Sequence, residues 1–354
     1  MLEPNKKDIR LLSLEELINF FKNLGLPSYR AQQVYKWIWK KNVSTFTQMT
    51  DINKNLRQIL EKEFFIAQAS VVASYQSVDG SVKLQIKLPD NKIVETVLIP
   101  SKDRVTVCVS SQVGCSLGCT FCATGYMKMQ RNLHAYEIYD QVFLAQKLAL
   151  SYYQKPITNI VYMGMGEPLL NYNNVLQSIN RITTPEGLGI SPRRITLSTA
   201  GIAKMIKKLG DDQVKFEFAL SLHATNDAKR STIMPINESN SLSKLKEALI
   251  YFYNKTGTRI TYEYILLHQF NDFVEDAQEL VAICRWIPCK VNIIEYNPIE
   301  ESNFQKSSNN RMFAFIEVLE KNGIIVNIRR SRGKDINGAC GQLALKAQQL
   351  PCTK

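Results

Sequence analysis

The sequence predicts a mixed α/β protein whose main part is a partial (β/α)6 TIM-like barrel, preceded by a small helical module and by β-hairpins. Three successive patterns of apolar residues along the chain predict this architecture. Apolar residues recur at helical spacing up to about residue 68, alternate with period two over residues 69–100, and form short β-branched runs between helical stretches from about residue 104. The last pattern is typical of βα units around a parallel sheet. A doubly wound open sheet would give a similar pattern and stays an alternative.

The sequence of the N-terminal region predicts two amphipathic helices separated by Gly25 and Pro27. Ser28 is the predicted N-cap of the second helix. Their apolar positions are Leu14, Leu17, Ile18 and Phe21, and then Ala31, Val34, Tyr35, Ile38 and Trp39. The second helix also carries Arg30, Lys36, Trp37, Lys40 and Lys41. These residues suit a polyanionic partner, although a solvated helix face is the commoner meaning of such a run.

The period-two region predicts β-hairpins, with turns at Asp79-Gly80 and Asp90-Asn91. The six predicted barrel strands are 105–110, 160–163, 195–199, 216–221, 260–266 and 291–296, and a further run covers 324–328. We therefore expect a helical accessory domain at 1–68, a hairpin extension at 69–103, a catalytic barrel at 104–345 and a tail at 346–354. In such a barrel the functional groups follow the carboxyl ends of the strands.

The chain has a formal net charge of +12, which suits either a nucleic-acid partner or simple solubility. No run of 18 apolar residues and no N-terminal signal core are present, so a cytoplasmic location without membrane contact is expected. The chain has eight cysteines, and in a reducing compartment a chain of this size does not need structural disulfides, so the clustered cysteines indicate metal or redox chemistry.

The strongest local feature is a loop with Cys115, Cys119 and Cys122 in the spacing C-x3-C-x2-C. Three thiolates on one tight loop can bind three irons of a [4Fe–4S] cluster and leave the fourth iron open. A structural zinc site would need a fourth ligand close by. Gly114 and Gly118 allow the loop to wrap closely.

A second motif, YMGMGEP at residues 162–168, follows the next predicted strand. It lacks the third glycine of a dinucleotide-binding fingerprint. Gly166 offers exposed backbone acceptors, and the carboxylate of Glu167 suits the ammonium group of a ligand. Beside the cysteine loop, this strand end is interpreted as a cofactor-binding edge.

These motifs resemble the radical S-adenosylmethionine (SAM) superfamily. More narrowly, the sequence is similar to the dual-specificity adenine C2 methyltransferases of ribosomal and transfer RNA. The segments that carry the resemblance are 108–115 (CVSSQVGC), 163–171 (MGMGEPLLN), 191–199 (SPRRITLST), 221–223 (SLH), 233–237 (IMPIN) and 339–343 (ACGQL).

The resemblance implies one [4Fe–4S] cluster per chain and two SAM molecules consumed per methylation. C2 of adenine lies between two ring nitrogens and is too electron-poor to attack the methyl group of SAM, so radical chemistry is needed. Cys340 matches the family's methyl carrier and Cys108 its second thiol, which resolves a covalent protein–RNA adduct by forming a disulfide. Glu95 matches the proposed proton acceptor.

The resemblance also carries over a set of cofactor contacts at predicted strand ends. For SAM these are Gly166, Glu167, Ser198, Ser221, Leu222, His223 and Asn297. Substrates would be 23S rRNA and adenine 37 of tRNA, with a flavodoxin-like electron donor, and a monomer is expected. Cys284 and Cys289 are interpreted as packing residues, and Cys352 as part of the tail.

Two alternatives remain. A sister enzyme that methylates C8 of the same ribosomal adenine would use the same cluster and cysteine pair. A non-catalytic iron–sulfur protein that binds RNA would explain the charge and the cluster, but would have no use for Cys108, Cys340 and Glu95 together.

Overall fold

The computed structural model describes residues 6–345. The predicted tail at 346–354, and Cys352 with it, lies outside the described residues. No helix in the described part of the chain has the length and apolar character needed to cross a membrane.

The N-terminal residues form a small helical module. Its elements are β1 (Lys7–Asp8), α1 (Leu14–Asn23), α2 (Ser28–Trp39), α3 (Lys54–Glu63) and β2 (Phe64–Phe65). Both predicted helices are confirmed, and α1 begins with a capping box in which Ser13 and Glu16 bond each other's backbone amides. Strands β1 and β2 pair in parallel and close the module.

An antiparallel meander follows, as the period-two pattern predicts. It consists of β3 (Ser70–Gln76), β4 (Val82–Lys87) and β5 (Ile93–Pro100). Strand β5 also pairs antiparallel with β6 (Val105–Cys108), so the hairpins extend the barrel sheet directly. The domain boundaries remain a prediction.

The remaining elements alternate between strands and helices. In chain order they are β7 (Gln112–Val113), β8 (Arg131–Asn132), α4 (Ala135–Tyr153), β9 (Asn159–Tyr162), α5 (Tyr172–Thr183), β10 (Ile195–Thr199), α6 (Ala203–Asp211), β11 (Glu217–Ser221), α7 (Asp227–Ile233), α8 (Leu242–Thr256), β12 (Ile260–Leu266), α9 (Val274–Cys284), β13 (Cys289–Glu295), α10 (Asn309–Lys321) and β14 (Val326–Arg329).

The main sheet has ten strands in the order β14-β13-β12-β11-β10-β9-β6-β5-β4-β3. From β6 to β14 every neighbouring pair is parallel and follows chain order without reversal. A doubly wound sheet reverses its strand order at a switch point, so that alternative is wrong. Because no ladder within residues 6–345 joins β14 back to β6, the predicted partial barrel is confirmed.

A buried ion pair fastens the helical module to the barrel. Arg10 donates to both carboxylate oxygens of Asp140 on α4, at 2.8 and 2.7 Å, and to the carbonyl oxygen of Ala67 at 3.0 Å. Its guanidinium also lies over the rings of Trp39 and Tyr136. The module is thus held against the outer helix that follows the cysteine loop.

Candidate active site

The cysteine loop is closed at its base by the pairing of β7 with β8. At Gly114, φ is +79°, and a Cβ there would lie 2.3 Å from the carbonyl oxygen of Lys128. At Gly125 a Cβ would lie 2.5 Å from the carbonyl oxygen of Cys119. The two glycines therefore let the loop fold back on itself, as expected for Gly114.

The three thiols of this loop share one environment. Burial raises the pKa of Cys115 to about 11, and the charges of Cys122 and Glu167 add to the effect. Burial likewise raises the pKa of Cys119, with further contributions from Cys122 and Cys115. Without a metal these thiols are therefore protonated, whereas a bound metal would keep them deprotonated.

The donor set suits an iron–sulfur cluster. In a [4Fe–4S] cluster each thiolate binds a different iron, so the sulfurs need not converge on one point. Cys115, Cys119 and Cys122 remain the predicted ligands of such a cluster.

Glu167 lies at the end of β9 with both carboxylate oxygens engaged. They accept hydrogen bonds from the Thr199 hydroxyl at 2.7 Å, the Leu169 amide at 2.9 Å and the Ala200 amide at 2.7 Å. The carboxylate thus joins the ends of β9 and β10. A ligand ammonium group would have to use the acceptor capacity that remains, since two carboxylate oxygens offer about four lone-pair sites.

Gly166 directly precedes Glu167 and has a φ of +93°. A Cβ at Gly166 would lie 2.4 Å from the Cβ of Gln112. The Gln112 side chain in turn accepts a hydrogen bond from the Glu167 amide at 2.8 Å. Only glycine allows this close approach of the strand end to the base of the cysteine loop.

The next two strand ends lie side by side. The hydroxyls of Ser198 on β10 and Ser221 on β11 are 3.2 Å apart. Leu222 has its side chain in the core, and its amide donates to the carbonyl oxygen of Glu263. Its carbonyl oxygen accepts from Arg230, so a ligand could use only the second lone pair of that oxygen. Ser198, Ser221 and Leu222 thus form one polar edge, as their positions in the sequence predict.

His223 follows in the left-handed region, with φ at +60°. Its Nδ1 accepts a hydrogen bond from the Ile265 amide at 3.1 Å, and its ring meets Phe121 edge-to-face at 4.9 Å. Burial, together with the charge of Arg230, lowers the pKa of His223 to about 3, so the imidazole is neutral. The ring of His223 therefore packs in the core and bonds the backbone through Nδ1. Only Nε2 remains available to a cofactor.

Arg230 on α7 was missed by the sequence analysis. It is fully buried and donates to the carbonyl oxygens of Leu222 at 3.1 Å and Ala200 at 2.5 Å, and to Asn237 Oδ1 at 2.8 Å. It thereby joins the loops after β10 and β11. No periodicity marks this arginine, although it lies three residues before the 233–237 segment that carries part of the resemblance.

The C-terminal segment lies on the cysteine loop. The Ala123 amide donates to the carbonyl oxygen of Gly341 at 2.7 Å, and the Thr124 hydroxyl donates to that of Leu343 at 2.6 Å. Asn297, two residues after β13, donates from Nδ2 to the carbonyl oxygen of Cys340 at 3.1 Å. Its Oδ1 is buried without a hydrogen-bond partner, which leaves an acceptor for a ligand at this strand end.

The structure brings Cys108 and Cys340 into one neighbourhood. Burial raises the pKa of Cys108 to about 12, and the charge of Cys340 adds to it. Cys340 has an exposed surface, yet surrounding protein still raises the pKa of its thiol to about 11. Both thiols are free, so the disulfide expected from the resemblance is not present in this form.

Glu95 on β5 is fully buried. Its carboxylate pairs with Lys83 at 3.2 Å and accepts from Gln85 at 3.3 Å and from the Ala344 amide at 3.1 Å. Glu95 is thus tied directly to the segment that carries Cys340.

Cys284 and Cys289 lie away from this site, at the end of α9 and the start of β13. Both are half-buried against the main core, in agreement with their interpretation as packing residues.

Comparison with known proteins identifies two sequence families. Residues 8–66 match the family described as the ribosomal RNA large subunit methyltransferase N-terminal domain, and residues 109–282 match the radical SAM superfamily. In the solved structures, a radical SAM methyltransferase from Sphaerobacter thermophilus superimposes with a TM-score of 0.89 at 38% identity, covering 95% of this chain and 99% of that one.

Relatives that match over nearly the whole chain indicate the same family. A probable dual-specificity RNA methyltransferase RlmN from Cytophaga hutchinsonii is 57% identical over 97% of this chain and 94% of its own length. Another from Christiangramia forsetii is 53% identical over 98% of both chains. Identity of this extent over whole chains, on a radical SAM fold, shows that the chain belongs to the RlmN family of dual-specificity RNA methyltransferases within the radical SAM superfamily.

Proposed function

We propose that this methyltransferase adds a methyl group to C2 of adenine in 23S rRNA and at position 37 of tRNA, through a methylated cysteine and a transient protein–RNA adduct. One observation carries the proposal. Cys108 and Cys340 are both free thiols, and the segment that carries Cys340 is hydrogen-bonded to Ala123 and Thr124 of the cysteine loop. A methyltransferase that moves the group directly from SAM to RNA would need neither.

Cys115, Cys119 and Cys122 would hold one [4Fe–4S] cluster per chain. The SAM contacts would be Gly166, Glu167, Ser198, Ser221, the backbone of Leu222, His223 and Asn297. When bound, the cluster supplies the electron that cleaves SAM. The orphaned Oδ1 of Asn297 supports the assignment, since it needs a donor that the protein does not supply.

In this proposal one SAM molecule methylates the Cys340 thiol and a second supplies the radical that takes a hydrogen atom from the S-methyl group, so that two SAM molecules are used per methylation. The resulting carbon radical adds to C2. After the C2 proton and one electron have left the adduct, the electron passing back to the cluster when it is bound, the Cys108 thiolate attacks the Cys340 sulfur. The bond from that sulfur to the methylene carbon breaks, the carbon takes up a proton to become the methyl group, and a Cys108–Cys340 disulfide remains.

Glu95 accepts the C2 proton. Its carboxylate now bonds the Ala344 amide. A shift of the C-terminal segment that brings Cys340 to the RNA would also free Glu95 to act as a base.

The wider setting is proposed on the same basis. RNA would be the polyanionic partner that the net charge of +12 suits, and the helical module would contribute to RNA binding. A flavodoxin-like protein would deliver electrons, and the enzyme would work as a monomer in the cytoplasm.

Anaerobic reconstitution with iron, sulfide, SAM, a reductant and a 23S rRNA fragment tests the proposal. We expect mass spectrometry to find a new methyl group at C2 of one adenine, and none with Cys340→Ala. The matched control is Cys284→Ala, which alters a half-buried cysteine outside the site and should methylate normally.

The alternatives predict other results. A methyl group at C8 would keep the two-cysteine chemistry and contradict the C2 assignment. An intact cluster that neither cleaves SAM nor methylates RNA would support the non-catalytic RNA-binding alternative instead.

A further inference from the structure

A groove lies between α10 and the end of β14, outside the site described above. It has a volume of about 350 Å³, near the lower end of the range of about 300–1,000 Å³ that is usual for ligand sites. We call it the Phe313 groove. The side chains that the argument uses are Glu295, Lys306, Phe313, Ile328, Arg330 and Lys334.

Its apolar part is open to solvent. Phe313 is 54% exposed and Ile328 is 38% exposed, although both are large apolar side chains. Two such residues side by side in a concave surface are a common basis for stacking a flat aromatic ligand.

Its polar part is cationic. The Lys306 ammonium pairs with Glu295 Oε1 at 3.2 Å and that of Lys334 with Oε2 at 3.0 Å, so one carboxylate holds both lysines toward the groove. Arg330 is exposed at the same groove. Three cations against one carboxylate leave a net charge of +2, which favours an anionic ligand.

The position of the groove links it to the candidate active site. Glu295 ends β13, two residues before Asn297, whose amide bonds the carbonyl oxygen of Cys340. Lys334 begins the short helical turn Lys334–Ile336 in the chain that leads to Cys340. The groove and Cys340 thus share a strand end and a C-terminal segment. They lie on opposite faces of the sheet, because Ile328 pairs with Ile293 on the α10 face, whereas Ile294 on the other face packs with Phe121 of the cysteine loop.

We infer that the Phe313 groove binds an unpaired nucleotide of the substrate RNA that lies outside the active site. Its base stacks on Phe313 and contacts Ile328, and its phosphate contacts Arg330 and the lysine pair. This inference rests on the proposed RNA substrate and adds a specificity site to it. A small concave groove with an aromatic floor fits a nucleotide better than a protein partner, which would need a larger surface.

Fluorescence anisotropy tests the inference with a labelled RNA hairpin that carries an adenine in its single-stranded loop. Two further hairpins each have an abasic residue in place of one other unpaired nucleotide of that loop, at a different position in each. We expect Phe313→Ala to weaken binding of the intact hairpin about tenfold, given the usual contribution of one stacked base. With one of the two abasic hairpins, wild type and Phe313→Ala should bind equally.

The cationic part is tested through salt dependence. Arg330→Gln should lower the slope of log Kd against log salt concentration by about 0.7, as for one lost phosphate contact to a single strand. Matched controls are Tyr152→Ala, an aromatic residue 48% exposed on α4, and Lys321→Gln, whose side chain is 72% exposed on α10. Tyr152→Ala should leave the affinity for the intact hairpin unchanged. Lys321→Gln should change it by no more than the loss of one distant positive charge would.

The inference is overturned if Phe313→Ala binds all three hairpins as Tyr152→Ala does. It is equally overturned if RNA binding is unchanged while reduction by an acidic flavodoxin-like donor slows and dithionite-driven turnover does not. Methylation by the wild-type enzyme in the same preparation separates this failure from failure of the proposed function.

Discussion

At the residue scale, Arg230 joins the strand-end loops that would contact the cofactor in the proposed function. It serves acceptors on two strand-end loops and on Asn237 from a fully buried position. Each buried acceptor that loses its donor lowers the free energy of unfolding by about 1–3 kcal/mol, because it cannot form a hydrogen bond with water instead. The arginine therefore holds the loops after β10 and β11 in place.

We predict that Arg230→Met lowers the free energy of unfolding by at least about 3 kcal/mol and weakens SAM binding about tenfold or more. Arg230→Lys should recover part of both, because one ammonium group can serve some of the same acceptors. Urea unfolding and calorimetric titration of SAM into the cluster-loaded protein measure the two effects. Unchanged SAM affinity in a folded Arg230→Met protein would contradict this positioning role.

His223 gives a prediction on pH. Its folded-state pKa is lowered to about 3 from an ordinary value of 6.5, so the unfolded chain binds the extra proton between these two values. Stability contributed by the neutral ring is therefore fully present above pH 6.5 and falls by about 1.4 kcal/mol for each pH unit below it.

Urea unfolding of the metal-free protein at pH 7.5, 6.0 and 5.0 measures this slope. His223→Gln keeps a side-chain acceptor for the Ile265 amide but cannot take up the proton, so its stability should fall less steeply with acid. Identical slopes for the two proteins would show that another group dominates.

At the element scale, the loop between β7 and β8 depends on its first glycine. At Gly114 a positive φ coincides with the close approach of the Lys128 carbonyl, so a methyl group there has no room. We predict that Gly114→Ala prevents the loop from closing and that reconstitution then incorporates less than half of the wild-type iron. Iron analysis and the visible absorbance of the cluster measure this.

Gly323, after α10, is the matched control for this substitution. It also has a positive φ, at +73°, but nothing lies within 4 Å of the Cβ that alanine would add. Gly323→Ala should therefore cost only about 1 kcal/mol of backbone strain and leave iron loading normal. Equal iron loading in both variants would contradict the steric account of the loop.

The Arg10–Asp140 pair decides how the helical module is attached to α4. Arg10→Met would leave the Asp140 carboxylate buried without its cation, and we expect a loss of about 3–5 kcal/mol in the free energy of unfolding. Lys22→Met, an exposed change on α1, is the control and should cost less than about 0.5 kcal/mol. If the two variants unfold alike, the ion pair does not fasten the module.

At the scale of the whole molecule, the sequence predicts the barrel well because its interior strands are covered on both faces. Such strands appear as short β-branched runs, and the run 260–266 matches β12 residue for residue. The run 105–110 is longer than β6, which ends at Cys108. The Ser110 hydroxyl instead donates to the Glu95 carbonyl, a contact between strands that no local pattern encodes.

The site is less visible in the sequence. Spacing alone marks the three cysteines of the loop, whereas the environments of Glu95 and Arg230 depend on contacts between distant segments. Lys83 occupies a polar position of the alternating strand β4, and Glu95 is a charged residue within the mostly apolar strand β5. They pair in the interior because the C-terminal segment covers that part of the sheet, through the Ala344 amide on Glu95.

The central claim is that Cys340 and Cys108 act in turn on one RNA adenine. The most direct measurement is denaturing electrophoresis and tryptic mass spectrometry of the Cys108→Ala enzyme after reaction with SAM, reductant and labelled 23S rRNA fragment. We predict that RNA stays covalently attached to the protein, through a methylene bridge at Cys340, because the thiol that resolves the adduct is missing. Free RNA methylated at the wild-type rate, or an adduct at another residue, would contradict the account.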